Sequence, residues 1–192
     1  MRPFPRLLAT SALLLVLLAD PCRAEAIRYR LAPTSGILGF KATSRLMDAD
    51  GRFHRFEGEV QADPNALDQA RVSLTVEAAS VDTGIGRRDN HLRSEDFFDV
   101  ARFPRITFSS QRVIPTDGRL LVTGHLALHG VSREITVPVK FELAGRSLRA
   151  QGEFTIRMSD YGINYRSFFN PIRDEVTILF DLHGVADGTP DV

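Results

Sequence analysis

Apolar side chains recur at every second residue in segment after segment of this chain. Val72, Leu74, Val76 and Ala78 alternate with Arg71, Ser73, Thr75 and Glu77. A helix returns to the same face only every 3.6 residues or so, so a period of two marks a strand buried on one side. The same alternation runs through Ile106 and Phe108, through Leu120, Val122, Leu126 and Leu128, and through Ile135, Val137, Val139 and Phe141. It returns in Leu148, Phe154 and Ile156, and in Val176, Ile178, Phe180 and Leu182. Thr116-Asp117-Gly118 and Ala144-Gly145-Arg146 are short hairpin connections, which makes consecutive strands antiparallel neighbours. Two less regular stretches, Gly36 to Ser44 and Arg52 to Gln61, bring the set to about eight strands.

A sheet with one apolar face must be covered by another layer or close on itself, and no long amphipathic helix is available to cover it. Closure also removes the edges. The expected fold is therefore all-β, an eight-stranded antiparallel up-and-down barrel with a short helical insertion near 84-97. Strand parity points Leu74, Val76, Phe108, Val122, Leu126, Val137, Val139, Phe141, Phe154, Ile156, Ile178 and Phe180 into the interior as candidate lining for an apolar ligand. Gly58, Ala78, Gly124, Ala150 and Gly152 leave gaps in that parity. Each glycine is either a bend that lets a strand coil or a vacancy in the lining, and together they are read as internal space.

The alternation is lost from Thr83 to Val100, which reads as a turn and a short helix lying across one barrel end. Phe97, Phe98 and Phe103 should bury their rings there and leave Arg87, Arg88 and Arg93 toward solvent. Gly84 and Gly86 ahead of the paired arginines suggest an amide nest for a phosphate head group, with Arg87 and Arg88 at the rim. The plainer alternative has Asp89, Glu95 and Asp96 neutralising those arginines. A second aperiodic stretch, Asp160 to Glu175, gathers Tyr161, Tyr165, Phe168 and Phe169 beside a barrel mouth. Tyr161 and Tyr165 are further rim candidates, and the stretch reads as a portal, a plug or a protein-facing surface.

The N-terminus reads as an address. Arg2 and Arg6 precede an apolar run from Leu7 to Ala19, the length of a signal-peptide core and short of the ~20 residues that span a bilayer. Small-x-small sites place cleavage after Ala24 or Ala26, so residues 1-24 form the leader and 25-192 the barrel domain. Asp20 and Pro21 ahead of Cys22 disfavour a lipoprotein anchor. Cleavage discards Cys22, the only cysteine, and the exported chain then suits an oxidising compartment. Basic and acidic residues number 24 each in the whole chain, so no charged field favours nucleic acid.

Catalytic constellations do not assemble. His125 and His129 lie on the outward parity, and four residues of strand span about 13 Å, too far for two side chains to share one ion. His91 has Asp89, Ser94 and Asp96 nearby in sequence but no nucleophile elbow. Glu57, Glu59, Glu77, Glu142 and Glu153 all share the outward parity, which leaves no acid pair for the interior. The expectation is a protein without catalytic residues, metal or cofactor.

Three motifs carry a family resemblance. The run Arg87-Arg88-Asp89-Asn90-His91-Leu92-Arg93-Ser94-Glu95-Asp96-Phe97-Phe98-Asp99-Val100, continued to Pro104-Arg105-Ile106-Thr107-Phe108, resembles the signature of the YceI-like polyisoprenoid-binding family. Gly124 to Arg133, with its His129-Gly130-Val131-Ser132-Arg133, and Arg157-Met158-Ser159-Asp160-Tyr161-Gly162 resemble two further segments of it. The resemblance implies a lipocalin-like barrel in the periplasm that holds an isoprenoid lipid, a polyprenyl chain or a quinone, in its interior. It also implies a carrier or store able to pair as a homodimer and to touch a membrane transiently during lipid exchange. Many members carry histidines in the first strands where this chain has Thr34-Ser35 and Lys41-Ala42-Thr43-Ser44. The runner-up reading is a periplasmic stress-protective interaction protein on the same scaffold without an obligatory lipid.

Overall fold

A computed structural model describes residues 26–32, 34, 36–45, 48–165 and 171–187. The expected leader and the rings of Phe168 and Phe169 lie outside them. The chain forms β1 (Ile27–Leu31), β2 (Ile37–Ser44), β3 (Ala49–Phe53), β4 (Phe56–Ala62), β5 (Arg71–Glu77) and β6 (Val81–Asp82). After α1 (Gly86–Arg93) come β7 (Arg105–Thr116), β8 (Arg119–Leu128), β9 (Val131–Ala144), β10 (Ser147–Arg157) and β11 (Ile172–Ala186).

Hydrogen bonding runs β1-β4-β5-β7-β8-β9-β10-β11, and β11 returns to β1 through Tyr29↔Ala186 and Leu31↔Gly184. Eight staves thus close a ring, every neighbouring pair antiparallel, as the alternation requires. The three remaining strands are continuations of the first three staves. Beyond β1 the chain resumes as β2, which pairs with β11 from Asp181↔Ile37 to Ile172↔Ser44 and with β3 on its other side. β3 in turn pairs with β6 through Arg52↔Asp82 and Phe53↔Val81.

The interruptions of these staves have a local cause. Between β5 and β6 the chain makes a 3-10 turn over Ala78–Ser80, and the buried Ser80 hydroxyl donates to the Glu77 carbonyl at 2.6 Å. The neighbouring stave breaks at His54-Arg55, whose amides donate to the carbonyl and the hydroxyl oxygen of Ser80 at 3.2 and 3.1 Å. Backbone groups taken from the ladder are thereby satisfied by one serine, which keeps the kink from leaving buried donors unpaired. The stretch Arg52 to Gln61, expected as one strand, is two for this reason.

A second departure lies between β9 and β10. Their ladder starts at Ala144↔Ser147 and stops at Lys140↔Gln151. Hydrogen-bonded pairs alternate along an antiparallel ladder, so after positions 144, 142 and 140 the next donor due on β9 is residue 138. That residue is Pro138, which has no N–H. A 3-10 turn over Met158–Tyr161 lies against the start of β9 beyond this point. There the His129 Nδ1 donates to the Tyr161 carbonyl at 3.1 Å and the Arg133 Nε to the Asp160 carbonyl at 3.0 Å.

The β8–β9 connection corrects the expected place of His129. His129 and Gly130 take φ of +50° and +75°, the paired left-handed geometry of a tight hairpin turn. His129 is therefore a half-buried turn residue packed edge-on to Phe103 at 5.0 Å, whereas His125 faces solvent from β8 as expected.

Candidate functional site

The barrel encloses a cavity of about 400 Å³, within the ~300–1,000 Å³ usual for small-molecule sites. All twelve residues expected on the inward parity line it. On β8 the lining extends from Leu120 to Leu128, which at ~3.4 Å per residue is about 27 Å of strand. The space is a tunnel along the barrel axis, shaped for a chain rather than a compact molecule. Leu38 and Phe40 from β2, and Leu92, Phe97 and Phe98 from the insertion, line it as well. Leu38, Phe40 and Leu92 were not singled out from sequence, because β2 alternates weakly and the insertion has no strand parity, whereas Phe97 and Phe98 were expected to bury their rings at this barrel end.

The glycines do not make the space. A Cβ on Gly124 would lie 2.4 Å from the Ser109 carbonyl oxygen and 2.8 Å from the Phe108 ring. One on Gly152 would lie 2.5 Å from the Pro138 carbonyl oxygen and 2.7 Å from the Phe180 ring. Each glycine is covered by an aromatic ring that itself lines the tunnel, so the gaps in parity are occupied by neighbours. Gly58 is crowded in the same way by Leu31 and Leu74, and Ala78 sits in the buried 3-10 turn; of the five, only Ala150 lines the tunnel.

One end of the tunnel is roofed by α1 and the loop after it. The helix is fixed at its C-terminal end by Arg93, whose Nε and Nη2 donate to the Ala79 and Val81 carbonyls at 2.8 and 2.6 Å. Its first turn is fixed by Asp89, a buried carboxylate that accepts from the Thr83 amide at 2.8 Å and from the Thr83 hydroxyl. Apolar side chains then turn inward: the Phe98 ring lies 5.7 Å from Phe53 and 6.5 Å from Phe40. Phe97, His91 and Tyr165 form a three-ring cluster with centroids 4.8 to 5.1 Å apart.

Polar groups concentrate at this end. Among the described residues that line the tunnel, only Arg88, His91, Thr107 and Tyr165 carry a side-chain nitrogen or oxygen. Arg88 and His91 also border an outer vestibule of about 720 Å³, whose other walls are Ala42, Ser44, Ala49, Ile85, Arg87 and Ile172. The Arg88 guanidinium donates to the Thr83 hydroxyl oxygen at 2.8 Å and to the Thr83 carbonyl at 3.0 Å.

Several expectations for this region are corrected. Asp89 binds Thr83 and Asp96 binds the Nε2 of His91 at 2.8 Å, so neither neutralises an arginine. Arg88 and Arg93 are partly buried and bonded inward, and only Arg87 is exposed. One of the two amides expected to form the nest is taken, since the Gly84 amide donates to the Asp82 carboxylate at 2.7 Å, and the Thr83 amide beside it donates to Asp89. The Gly84 bond, with His54 as a second donor, holds the Asp82 carboxyl below its ordinary pKa. Tyr161 is not at the rim: it is buried in the cluster with Leu126, Leu128 and Ile163 and does not border the tunnel. Burial, then the charge of Asp160, raises its phenol pKa, and its hydroxyl has no hydrogen-bond partner among the described residues.

The geometry around His91 does not form a nucleophile relay. The Ser94 hydroxyl donates to the His91 carbonyl at 2.8 Å, away from the imidazole ring. Among the described residues no three His, Cys, Asp or Glu side chains gather as a metal site, and no helix is long and apolar enough to cross a membrane.

Comparison with known proteins agrees with this architecture. A model of the YceI-like domain matches residues 29–184. A UPF0312 protein of Vibrio vulnificus (strain YJ016) is 40% identical over 97 residues, which is 50% of this chain and 51% of that protein. The match thus spans about half the length of that relative. Among solved structures, Burkholderia cenocepacia BcnA superposes with a TM-score of 0.75 at 25% identity, over 80% of this chain and 98% of that one. A structure described as a polyisoprenoid binding domain from Saccharophagus degradans, implicated in plant cell wall breakdown, gives 0.66 at 20% identity, over 83% and 98% of the two chains.

Proposed function

This chain belongs to the YceI-like family, and from that membership and its apolar tunnel we propose that it is a carrier that holds an isoprenoid lipid, a polyprenyl chain or a quinone, inside the barrel. It would do so in the periplasm, after removal of the N-terminal leader, and without performing chemistry on the lipid. The observation that carries the reading is the shape and lining of the interior: a conduit along the barrel axis, walled by Leu, Val, Ile and Phe, with its polar groups at one end.

The physical argument is one of matched surfaces. An isoprenoid tail is long, thin and apolar, and its removal from water contributes about 25 cal/mol per Å². Burial of such a tail in a preformed apolar conduit costs little reorganisation of the protein. A head group would stay at the end where Arg88, His91 and Tyr165 stand. The described neighbour from Saccharophagus degradans is termed a polyisoprenoid binding domain, which supports the same class of ligand.

The test is mass spectrometry of an organic extract from gently purified, exported protein. About one isoprenoid per chain is expected. Absence of any co-purifying lipid, together with failure to take up an added polyprenyl alcohol, would overturn the reading in favour of a lipid-free interaction protein.

A further inference from the structure

Resting on the carrier reading, we propose that the lipid tail enters and leaves the barrel sideways, through the unpaired seam between β9 and β10, and that the 3-10 turn carrying Tyr161 is the latch that closes this seam.

The seam is a property of the backbone. β9 and β10 are bonded to each other only from Ala144↔Ser147 to Lys140↔Gln151, and Pro138 ends that ladder. Toward the roofed end each strand keeps its other neighbour. β9 stays on β8 as far as Val131↔Leu128, and β10 stays on β11 as far as Arg157↔Glu175. Two intact walls therefore meet along an edge that no ladder joins, and parting them breaks no rung of either. Val137 on one wall and Phe154 and Ile156 on the other line the tunnel, so the seam backs directly onto the ligand space. A tail can be laid into it sideways instead of being threaded tip first past α1.

The turn is fastened differently to the two walls. It belongs to the β10–β11 wall, where the Ser159 amide and hydroxyl donate to the Asp174 carboxylate at 2.8 and 2.6 Å. Among the described residues its hydrogen bonds to the β8–β9 side come from side chains, His129 to the Tyr161 carbonyl and Arg133 to the Asp160 carbonyl. Two of the sequence motifs, Gly124 to Arg133 and Arg157 to Gly162, thus meet as the halves of one fastening, and its bonds can be exchanged for water without unpairing a strand. Tyr161 fills the closed seam. Its side chain is buried in one cluster with Leu126 and Leu128 of β8 and Ile156 of β10, and Val131 and Ile135 of β9 pack against that cluster. Its hydroxyl has no partner there among the described residues, so the closed position denies it a hydrogen bond that water supplies once the turn swings out. Opening therefore costs less than it would for an apolar plug of the same shape.

The experiment follows uptake and release of a dansyl-labelled farnesol by stopped-flow fluorescence, using delipidated exported protein, its Tyr161→Phe and Arg133→Ala variants, and a locked form. In the locked form Arg133→Cys and Asp160→Cys, both at exposed positions, are bridged by a short bismaleimide. The control bridges His125→Cys to Glu134→Cys, which stand opposite each other on the bonded β8–β9 pair. Both carry Cys22→Ser, so that only the introduced thiols react. The lock should slow uptake and release by at least about tenfold, and the control bridge should leave both within about twofold of the unbridged protein. Tyr161→Phe should slow both by about fivefold, because the open state no longer gains a hydrogen bond to water. Arg133→Ala should speed both, and affinity should be the same in these two variants as in wild type, since a latch changes the route and not its end states. Equal rates in the locked and control proteins would overturn the seam route, send the tail through the vestibule and leave the carrier reading standing. An altered affinity with unaltered release in Tyr161→Phe would overturn it too, by making Tyr161 part of the binding surface. Failure of the probe to bind the unmodified protein would overturn the carrier reading and the route with it.

Discussion

The ring of Phe108 on β7 lies over Gly124 on β8, so close that a single methyl group on the glycine would sit 2.8 Å from the ring and 2.4 Å from the Ser109 carbonyl oxygen. Because Phe108 also lines the tunnel, the glycine determines where a wall of the binding space stands.

Gly124→Ala should therefore cost about 1–3 kcal/mol through overpacking, since both the backbone oxygen and the ring must give way. Urea unfolding should show a lowered midpoint with an unchanged slope. Wild-type stability in this variant would mean that Phe108 moves freely, and the tunnel wall at this height would then be soft.

Tyr161 offers a change of opposite sign. Its side chain is buried, its hydroxyl has no partner among the described residues, and burial disfavours its ionised form. Tyr161→Phe removes a polar atom that gains nothing from the fold and should be neutral or stabilising by up to about 2 kcal/mol. The same unfolding measurement checks it, and a clear loss of stability would reveal a partner that the hydroxyl finds in solution.

What was legible in the sequence follows from which quantity each feature depends on. The twelve expected lining residues were readable because parity along an unbroken strand decides which side faces in, and β7 through β11 present that parity plainly. Parity says nothing about backbone donors, so the end of the β9–β10 ladder at Pro138 had to be read from hydrogen-bond alternation in the fold. It also breaks at kinks: the stave containing Arg52 to Gln61 is divided at His54-Arg55 by Ser80, a residue 25 positions away from Arg55 in sequence. Tyr161 sits in a 3-10 turn, where no period of two exists to place it, and its local aromatic company suggested a rim that it does not occupy. The covered glycines fail for a related reason, since an absent side chain looks like space until the neighbour that fills it is known.

Acid should destabilise the barrel through identified carboxylates. Asp181 is held below its ordinary pKa mainly by the hydrogen bond from Arg149, which grips both its oxygens at 2.9 and 2.7 Å. Asp174 is held down mainly by the Ser159 hydroxyl. A depressed folded-state pKa contributes stability that is present above the unfolded value of about 3.9 and is lost as pH falls through the folded value. Melting temperature should be flat near neutrality and fall below about pH 4. Asp181→Asn should melt lower than wild type at pH 7 and show a shallower acid slope. An identical slope in the variant would assign the acid sensitivity to other groups.

Export supplies an independent check on the proposed setting. If the leader is removed at either small-x-small site, N-terminal sequencing of the mature protein should begin at Glu25 or Ile27, and the protein should fractionate with the periplasm. An intact Met1 on material outside the cytoplasm, or a lipid-modified Cys22, would contradict it.

The tunnel itself is tested by side chains on neighbouring strands that face opposite ways. Leu126 and Phe154 line the tunnel from β8 and β10, whereas Lys140 on β9 points outward and pairs with Glu142 at 2.8 Å. Replacing Leu126 or Phe154 by Trp fills the conduit with a ring that cannot move aside. Overpacking should cost about 1–3 kcal/mol, and the larger effect should be loss of the lipid tail from its path. Lys140→Ala removes only an exposed ion pair, a kind of contact that contributes about 0–1 kcal/mol, and should leave lipid content unchanged. Isoprenoid per folded chain, measured by extraction for each variant, separates the cases. Retention of lipid in both Trp variants with the barrel intact would place the tail outside the tunnel, because a chain threaded along β8 has no route past an indole at position 126.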